Sequence, residues 1–560
     1  MKYFKLTIFF LTSSILANAQ EGGLSSEEIK KIDFLFKKWD NNDSPGAAIG
    51  VIQNGVMQYS KGYGLANIEH NIPNTTLTAF NIGSNTKQFT AACIVLLSQQ
   101  GKLNLNQSLK SIFPDFPDYT KSIDIKNLLQ HTSGLRDYPQ IAYLTGLRPN
   151  DFYNNTDIMK WIKSQQKPNF LTGEKYMYSN SGYWLLGQIV SKVSGMSFAE
   201  FAKKELFEPL GMNSTRFYDN STMVFKNKAS GYSKTRSGEI ITFNSARENI
   251  GDGGLYTTIE DIKKWDDEFY KQTILNDSFW KIMTTQGVLN NGKSIVYASG
   301  LEIKEHKGLK TISHGGRVPG FWSDIIRFPK QKFTVVVFTN SSNVDATPIG
   351  YQIADILLKE KYKPEKRKTN KMKRKVKFIK LSNGMLKNFE GTYWDAKDNS
   401  SRKVYLDNGT LTYYRGTGSI HPLKPIAKNE FKVMRTPPFI DAFVKFIREG
   451  EKYKLQTTIN EKVSKPFNAY MPKTFGLSEL DNLTGSFYSQ EIDTNYNIKL
   501  EKDKLWLFVK GRKIVPLTHV RDLLFSSPMC DFEFIKNNDV IEGFKVTTSR
   551  VKNLKFKRVN

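Results

Sequence analysis

The chain has 560 residues, 81 Lys and Arg against 54 Asp and Glu for a formal net charge of +27, and only two cysteines. That length leaves room for about two to four domains. The two cysteines, Cys93 and Cys530, exclude a disulfide-stapled scaffold, and no Cys/His cluster or H-E-x-x-H helix points to a metal or other cofactor.

Residues 1–19 read as a secretory signal peptide. Lys2 and Lys5 precede an apolar run over 6–16, and Ala17-Asn18-Ala19 is a small-residue cleavage site. No later stretch reaches the roughly 18 apolar residues that a spanning helix needs. The expectation is an exported protein, periplasmic or extracellular. Residues 27–39 carry Ile29, Ile32, Leu35, Phe36 and Trp39 at helical spacing. Residues 46–52 and 56–59 flank Asn54-Gly55, the signature of a β-hairpin.

Residues 80–87, FNIGSNTK, combine the end of an extended segment with a serine and, three positions on, a lysine. The apolar run 89–97 and Gly101 predict a helix after them. On that helix Lys87 lies one turn from Ser84, within reach of its hydroxyl. A serine hydroxyl is a poor nucleophile until a neighbour takes its proton, so this pair is a candidate catalytic unit. The spacing alone is weak: Ser164/Lys167, Ser278/Lys281, Ser400/Lys403 and Ser549/Lys552 repeat it. Only the Ser84 copy follows a glycine and opens an apolar helix. Cys93, within that helix, reads as a small packed hydrophobe separate from Cys530.

A short helix over 125–130 leads to His131, which by itself reads as a hydrogen-bonded structural histidine. Tyr178, Ser179 and Asn180 stand on a loop before a helix over 184–193, where catalytic groups are often presented. Further helices are predicted over 198–206 and 259–270, and between them Gly251-Asp252-Gly253-Gly254 is a tight turn in which Asp252 reads as a cap, with a part in the site as the alternative. Residues 311–340 read as three strands, the first ending in His314-Gly315-Gly316-Arg317, whose glycines allow close backbone approach. A closing helix over 346–359 completes an α/β (α+β) unit, an antiparallel sheet flanked by helices, over 20–360.

The densest basic run, residues 359–380, carries Pro364 and no nucleic-acid-binding signature. It reads as a linker over 361–380, with attraction to an anionic envelope surface as the expected use of the charge and no nucleic-acid partner. Beyond it, LKNFEGTY at 386–393 is echoed by LDNLTGSFY at 480–488, each followed by strand pairs. Two small β-barrel domains are expected, over 381–475 and 476–560.

Taken together, GSNTK at 83–87, LLQHTSGL at 128–135, YSNSGYWLLG at 178–187 and HGG at 314–316 resemble the penicillin-recognising serine hydrolases: class C β-lactamases, DD-peptidases, D-aminopeptidases and related esterases. The resemblance covers about residues 30–358, and the tail is similar to that of D-aminopeptidase-type members. It implies a β-lactamase-like sheet with a helical subdomain, and a small-molecule or peptide substrate. It also implies that Ser84 forms an acyl-enzyme, that Lys87 supplies positive charge and that Tyr178 is general base and then acid. Asn180 would orient Lys87 and substrate, and the backbone amides of Ser84 and Arg317 would form an oxyanion hole. A lysine near the phenol is expected to lower its pKa. The sequence departs from the family at His314, where β-lactamases and DD-peptidases usually carry lysine; Arg317 beside it is a candidate replacement for that charge. The departure favours an ester or amide, including a D-aminoacyl or peptidoglycan-derived one, over β-lactam or DD-peptidase work. A non-catalytic penicillin-binding sensor is the remaining alternative. The sequence sets no oligomeric state.

Overall fold

The computed structural model describes residues 23–559 except 149–150, 236, 363–375, 396–399, 415–419, 437–439 and 472. The expected signal peptide and most of the expected linker lie outside the described residues.

The Asn54-Gly55 turn has both residues at positive φ, 52° and 76°, as the hairpin signature requires, and joins strands Ala47–Gln53 and Val56–Tyr63. They form one edge of a six-stranded antiparallel sheet. From the other edge its order is Glu302–His306, Leu309–Val318, Phe321–Phe328, Phe333–Thr339, then the hairpin. Alternation assigns each residue to a face. Ala47, Ile49, Val51, Val335 and Val337 pack with Ile32, Phe36 and Ile353 of the Ser26–Phe36 and Ala346–Leu357 helices. Ala48, Val336 and Phe338 face the opposite core, with Phe80, Phe89 and Ile94. With helices on both faces, the Phe333–Thr339 strand is buried throughout, which explains its unbroken apolar run.

The Thr86–Gln99 helix is buried nearly all round, in keeping with its lack of a polar face. Beside it packs the Asn180–Ser194 helix, ended by Gly195 at φ 73°. The helix expected over 198–206 is Phe198–Ala202 continued by a π-turn, Lys203–Phe207. The His-Gly-Gly segment does not end its strand, which runs on to Val318. Cys93 and Cys530 are both buried and unbonded.

After the linker come a nine-stranded antiparallel sheet and a closed eight-stranded barrel. The first of the two expected barrels is therefore half-open. Its terminal strands, Lys462–Val463 and Asn468–Tyr470, are too short for a closing ladder, and a bridge from Phe467 reaches Leu455 in Lys452–Ile459, the strand next to the other edge. The second closes through pairing of Gly485–Ser489 with Leu554–Val559. This barrel is fastened to the segment that carries Arg136 and Leu144. The Arg136 guanidinium donates from Nη1 to Glu491 Oε2 at 2.5 Å with both side chains buried, and the Tyr496 hydroxyl donates to the Leu144 carbonyl at 2.7 Å.

Candidate active site

Ser84 sits in a 3₁₀ turn, Gly83–Asn85, between the Phe80–Asn81 strand and the long buried helix. Its neighbours from Gly83 to Thr90 are buried, while Ser84 itself keeps some exposure. Gly83 has φ +52°, and a Cβ there would lie 2.8 Å from the Arg317 amide nitrogen. A Cβ on Gly316 would lie 1.9 Å from the Ile82 carbonyl oxygen. These glycines let the nucleophile turn and the Leu309–Val318 strand touch backbone to backbone. Ser323 Oγ fastens the contact, donating to the Ile82 carbonyl at 2.6 Å and accepting from Asn85 Nδ2 at 2.7 Å. A Cβ on Gly315 meets Thr347 Oγ1 only at 3.3 Å, a looser fit.

Lys87 is fully buried, and each of its three N–H groups has an acceptor: Ser84 Oγ at 3.1 Å, Asn180 Oδ1 at 2.9 Å and the Asp252 carbonyl at 2.7 Å. Burial lowers its pKa to about 8, with the Asp252 and Asp137 carboxylates opposing and Arg550 assisting. Asn180, at the start of its helix, donates its backbone N–H to Asp137 Oδ1 at 2.6 Å. Asp252 is not the turn cap that the glycine pattern suggests. Its carbonyl holds Lys87, and its buried carboxylate accepts from the Tyr138 hydroxyl at 2.9 Å.

Tyr178 overturns one expectation. Burial drives its phenol well above the ordinary value, and the Ser84 hydroxyl and Arg550 only partly offset that. The Lys87 ammonium lies 4.9 Å from the centre of the Tyr178 ring, over its face, a position that supplies cation–π attraction rather than an acidified hydroxyl. Of these two groups, the one drawn toward neutral pH is the lysine. His131, at φ 56°, is packed among Tyr178, Tyr183 and Tyr297, with ring centres 4.2, 5.1 and 4.4 Å away. Its Nδ1 accepts from the Ser179 N–H at 3.1 Å, a structural role that holds the tyrosine loop.

His314 is buried, and burial together with the Lys87 charge lowers its pKa to about 3. Its Nδ1 lies 2.7 Å from the Gly315 carbonyl, which can only accept, so Nδ1 carries the proton. Nε2 then accepts from the Tyr297 hydroxyl at 2.9 Å. A neutral imidazole with both nitrogens engaged offers no charge to substrate. Arg317 lines the cleft, with its exposed side chain stacked on Trp322 at 4.6 Å.

Besides Arg317 and Lys304, which line the cleft, a cation reaches it from the barrel. Arg550 stacks over the Tyr178 ring at 4.9 Å and donates to Asp137 Oδ2 at 3.4 Å. Its backbone is held by Gln140 Oε1 at 2.9 Å and Asn169 Nδ2 at 2.9 Å. Arg550, Asp137 and Tyr297 escaped the sequence reading. Asp137 is the second residue after the LLQHTSGL motif and could have been weighed with it. Arg550 is 372 residues from Tyr178 and carries no local signal. The cleft over Ser84, about 460 Å³, is lined by Ser84, Tyr178, Asn180, the 314–317 segment and Arg550.

Residues 33–358 match the model of the family described as Beta-lactamase. Over 326 residues the chain is 28% identical to Penicillin-binding protein 4* of Bacillus subtilis (strain 168), covering 56% of this chain and 71% of that one. It is 28% identical over 326 residues to a D-aminopeptidase of Gluconobacter oxydans (strain 621H), 58% of this chain and 60% of that one, so less than two thirds of that relative is spanned. Among solved structures, the octameric penicillin-binding protein homologue from Pyrococcus abyssi superposes with a TM-score of 0.55 at 25% identity, over 78% of this chain and 99% of that one.

Proposed function

The chain belongs to the β-lactamase family of serine hydrolases, and from that membership we propose that it cleaves an ester or amide bond through an acyl-enzyme on Ser84. The observation that carries the reading is the set of three acceptors around Lys87. When the ammonium loses a proton, the two N–H groups that remain stay on Asn180 Oδ1 and the Asp252 carbonyl, which can only accept there. The lone pair is then left facing Ser84 Oγ. Lys87 is thus the base: it takes the Ser84 proton as Oγ attacks the carbonyl carbon. The amides of Ser84 and Arg317, brought near each other by Gly83 and Gly316, receive the oxyanion. Tyr178, which burial keeps neutral, gives its proton to the departing alcohol or amine and is reprotonated by the Lys87 ammonium, so that the Ser84 proton ends on the leaving group and Lys87 is a free amine again. Water then releases the acyl group, with the same residues acting in reverse.

The uncharged His314 favours substrates other than carboxylate-bearing β-lactams, and the likeness to a D-aminopeptidase favours a D-aminoacyl ester, amide or short peptide. Export follows from the leader read at 1–19, with the net charge of +27 favouring an anionic envelope surface. Nitrocefin, p-nitrophenyl esters and D-aminoacyl anilides, assayed side by side, test the substrate class. Turnover of the last two with little of the first is expected, whereas nitrocefin turned over faster than both would reverse the assignment.

A further inference from the structure

Asn180 and Arg550 line a second cavity as well as the cleft over Ser84. It measures about 840 Å³ and lies between the Tyr138–Leu144 helix and the closed barrel. Pro139 and Tyr143 face it from the catalytic side, Leu524, Ser527 and Met529 from the barrel, and Trp394 from the nine-stranded sheet. Small-molecule sites run from roughly 300 to 1,000 Å³. The Ser84 cleft alone therefore accommodates an aminoacyl group, and the second space has no use for a substrate of that size. Its charges are each engaged: Asp137 meets Arg550, the Asp531 carboxylate accepts from the Ser526 hydroxyl at 2.7 Å, and the Lys552 ammonium donates to the Thr548 carbonyl at 2.6 Å. What the walls offer beyond these pairs is hydroxyl, amide and apolar surface. That is the chemistry of a peptide chain rather than of a polyanion.

We propose that this cavity seats the part of the substrate remote from the scissile bond, a peptide-like chain of several residues without net charge, which reaches Ser84 past Asn180 and Arg550. The proposal rests on the acyl-Ser84 reading. The test is a series of D-alanyl peptides of increasing length, capped to carry no net charge and extended on either the acyl or the leaving-group side, with the full chain and a small p-nitrophenyl ester in parallel. One series should gain about tenfold or more in kcat/KM with length, because remote contacts are used at the reacting centre. Leu524→Trp and Ser527→Trp, which fill the cavity from the barrel wall, should remove most of that gain relative to the ester, and the ester rate in the same preparation reports on folding. Flat series on both sides, or a gain that survives both variants, would overturn the proposal, as would stronger competition by polyglutamate than by neutral peptides. Failure to cleave even the ester, with Ser84 unlabelled by a fluorophosphonate, would instead remove the acyl-Ser84 reading and this proposal with it.

Discussion

If neutral Lys87 is the base, the rate of acylation must follow its titration. With a pKa of about 8, the fraction of enzyme holding a neutral amine is about one tenth at pH 7 and about one half at pH 8. For an uncharged ester, kcat/KM should therefore rise about tenfold from pH 6 to 7 and about fivefold from pH 7 to 8, then level off above about pH 9. Stopped-flow release of p-nitrophenol, followed at its isosbestic wavelength, removes the leaving group's own titration from the trace. A rate that does not level off at about pH 9 but still climbs above the ordinary range of a phenol, about 10, would transfer the role to Tyr178, whose phenol burial raises beyond that range. A profile flat from pH 6 to 9 would remove both. Asp252→Asn sharpens the test. It deletes a carboxylate that holds the Lys87 pKa up and keeps the main-chain carbonyl to which Lys87 donates. The inflection should move to lower pH and the rate at pH 6 should rise; movement the other way would refute the electrostatic account.

Arg136→Ala leaves Glu491 buried with only the Gln166 N–H, at 2.9 Å, in place of a guanidinium. Removing one partner of a buried pair costs about 3–5 kcal/mol, so the urea midpoint should fall markedly, and a change under about 0.5 kcal/mol would mean that the barrel contact carries no load. Gly316→Ala puts a methyl 1.9 Å from the Ile82 carbonyl and must push the strand off the nucleophile turn. Loss of oxyanion alignment predicts a fall of about 100- to 1,000-fold in kcat at near-normal KM, and an unchanged kcat would contradict it. His314 has a folded pKa of about 3 against about 6.5 unfolded, so the unfolded chain binds the extra proton between those values. Its contribution to stability is complete above about pH 6.5 and is lost by about 1.4 kcal/mol per pH unit as pH falls toward 3. The difference in urea stability between wild type and His314→Gln isolates that slope; a difference independent of pH would show that the imidazole is not held neutral.

Local chemistry made the hairpin, the buried strand and the nucleophile helix legible: an Asn-Gly pair at positive φ, an unbroken apolar run and a serine-glycine junction each act within a few residues. Ser84 and Lys87, read from one motif, and Asn180, read from another, are joined by direct hydrogen bonds. What escaped depends on contacts distant in sequence or on burial. The role of Asp252 follows from where its carbonyl points rather than from its glycine-rich turn. The direction of the Tyr178 shift is decided by desolvation, which outweighs a nearby cation once the ring is enclosed by His131 and Tyr297. The half-open form of the first barrel was hidden because strand length at the closing seam is not written in the repeated start motifs. Arg550 enters the cleft because contacts distant in sequence, the Arg136–Glu491 pair and the Gln140 and Asn169 side chains among them, dock a barrel whose sequence alone offers shape without chemistry.

The central claim is tested most directly by trapping the acyl-enzyme. Intact-mass and peptide mapping after reaction with a fluorophosphonate should find a single adduct on the peptide that contains Ser84, formed faster as pH rises through 8, and none in Ser84→Ala, which should also have lost ester turnover. An adduct elsewhere, or turnover that persists in Ser84→Ala, would contradict the account.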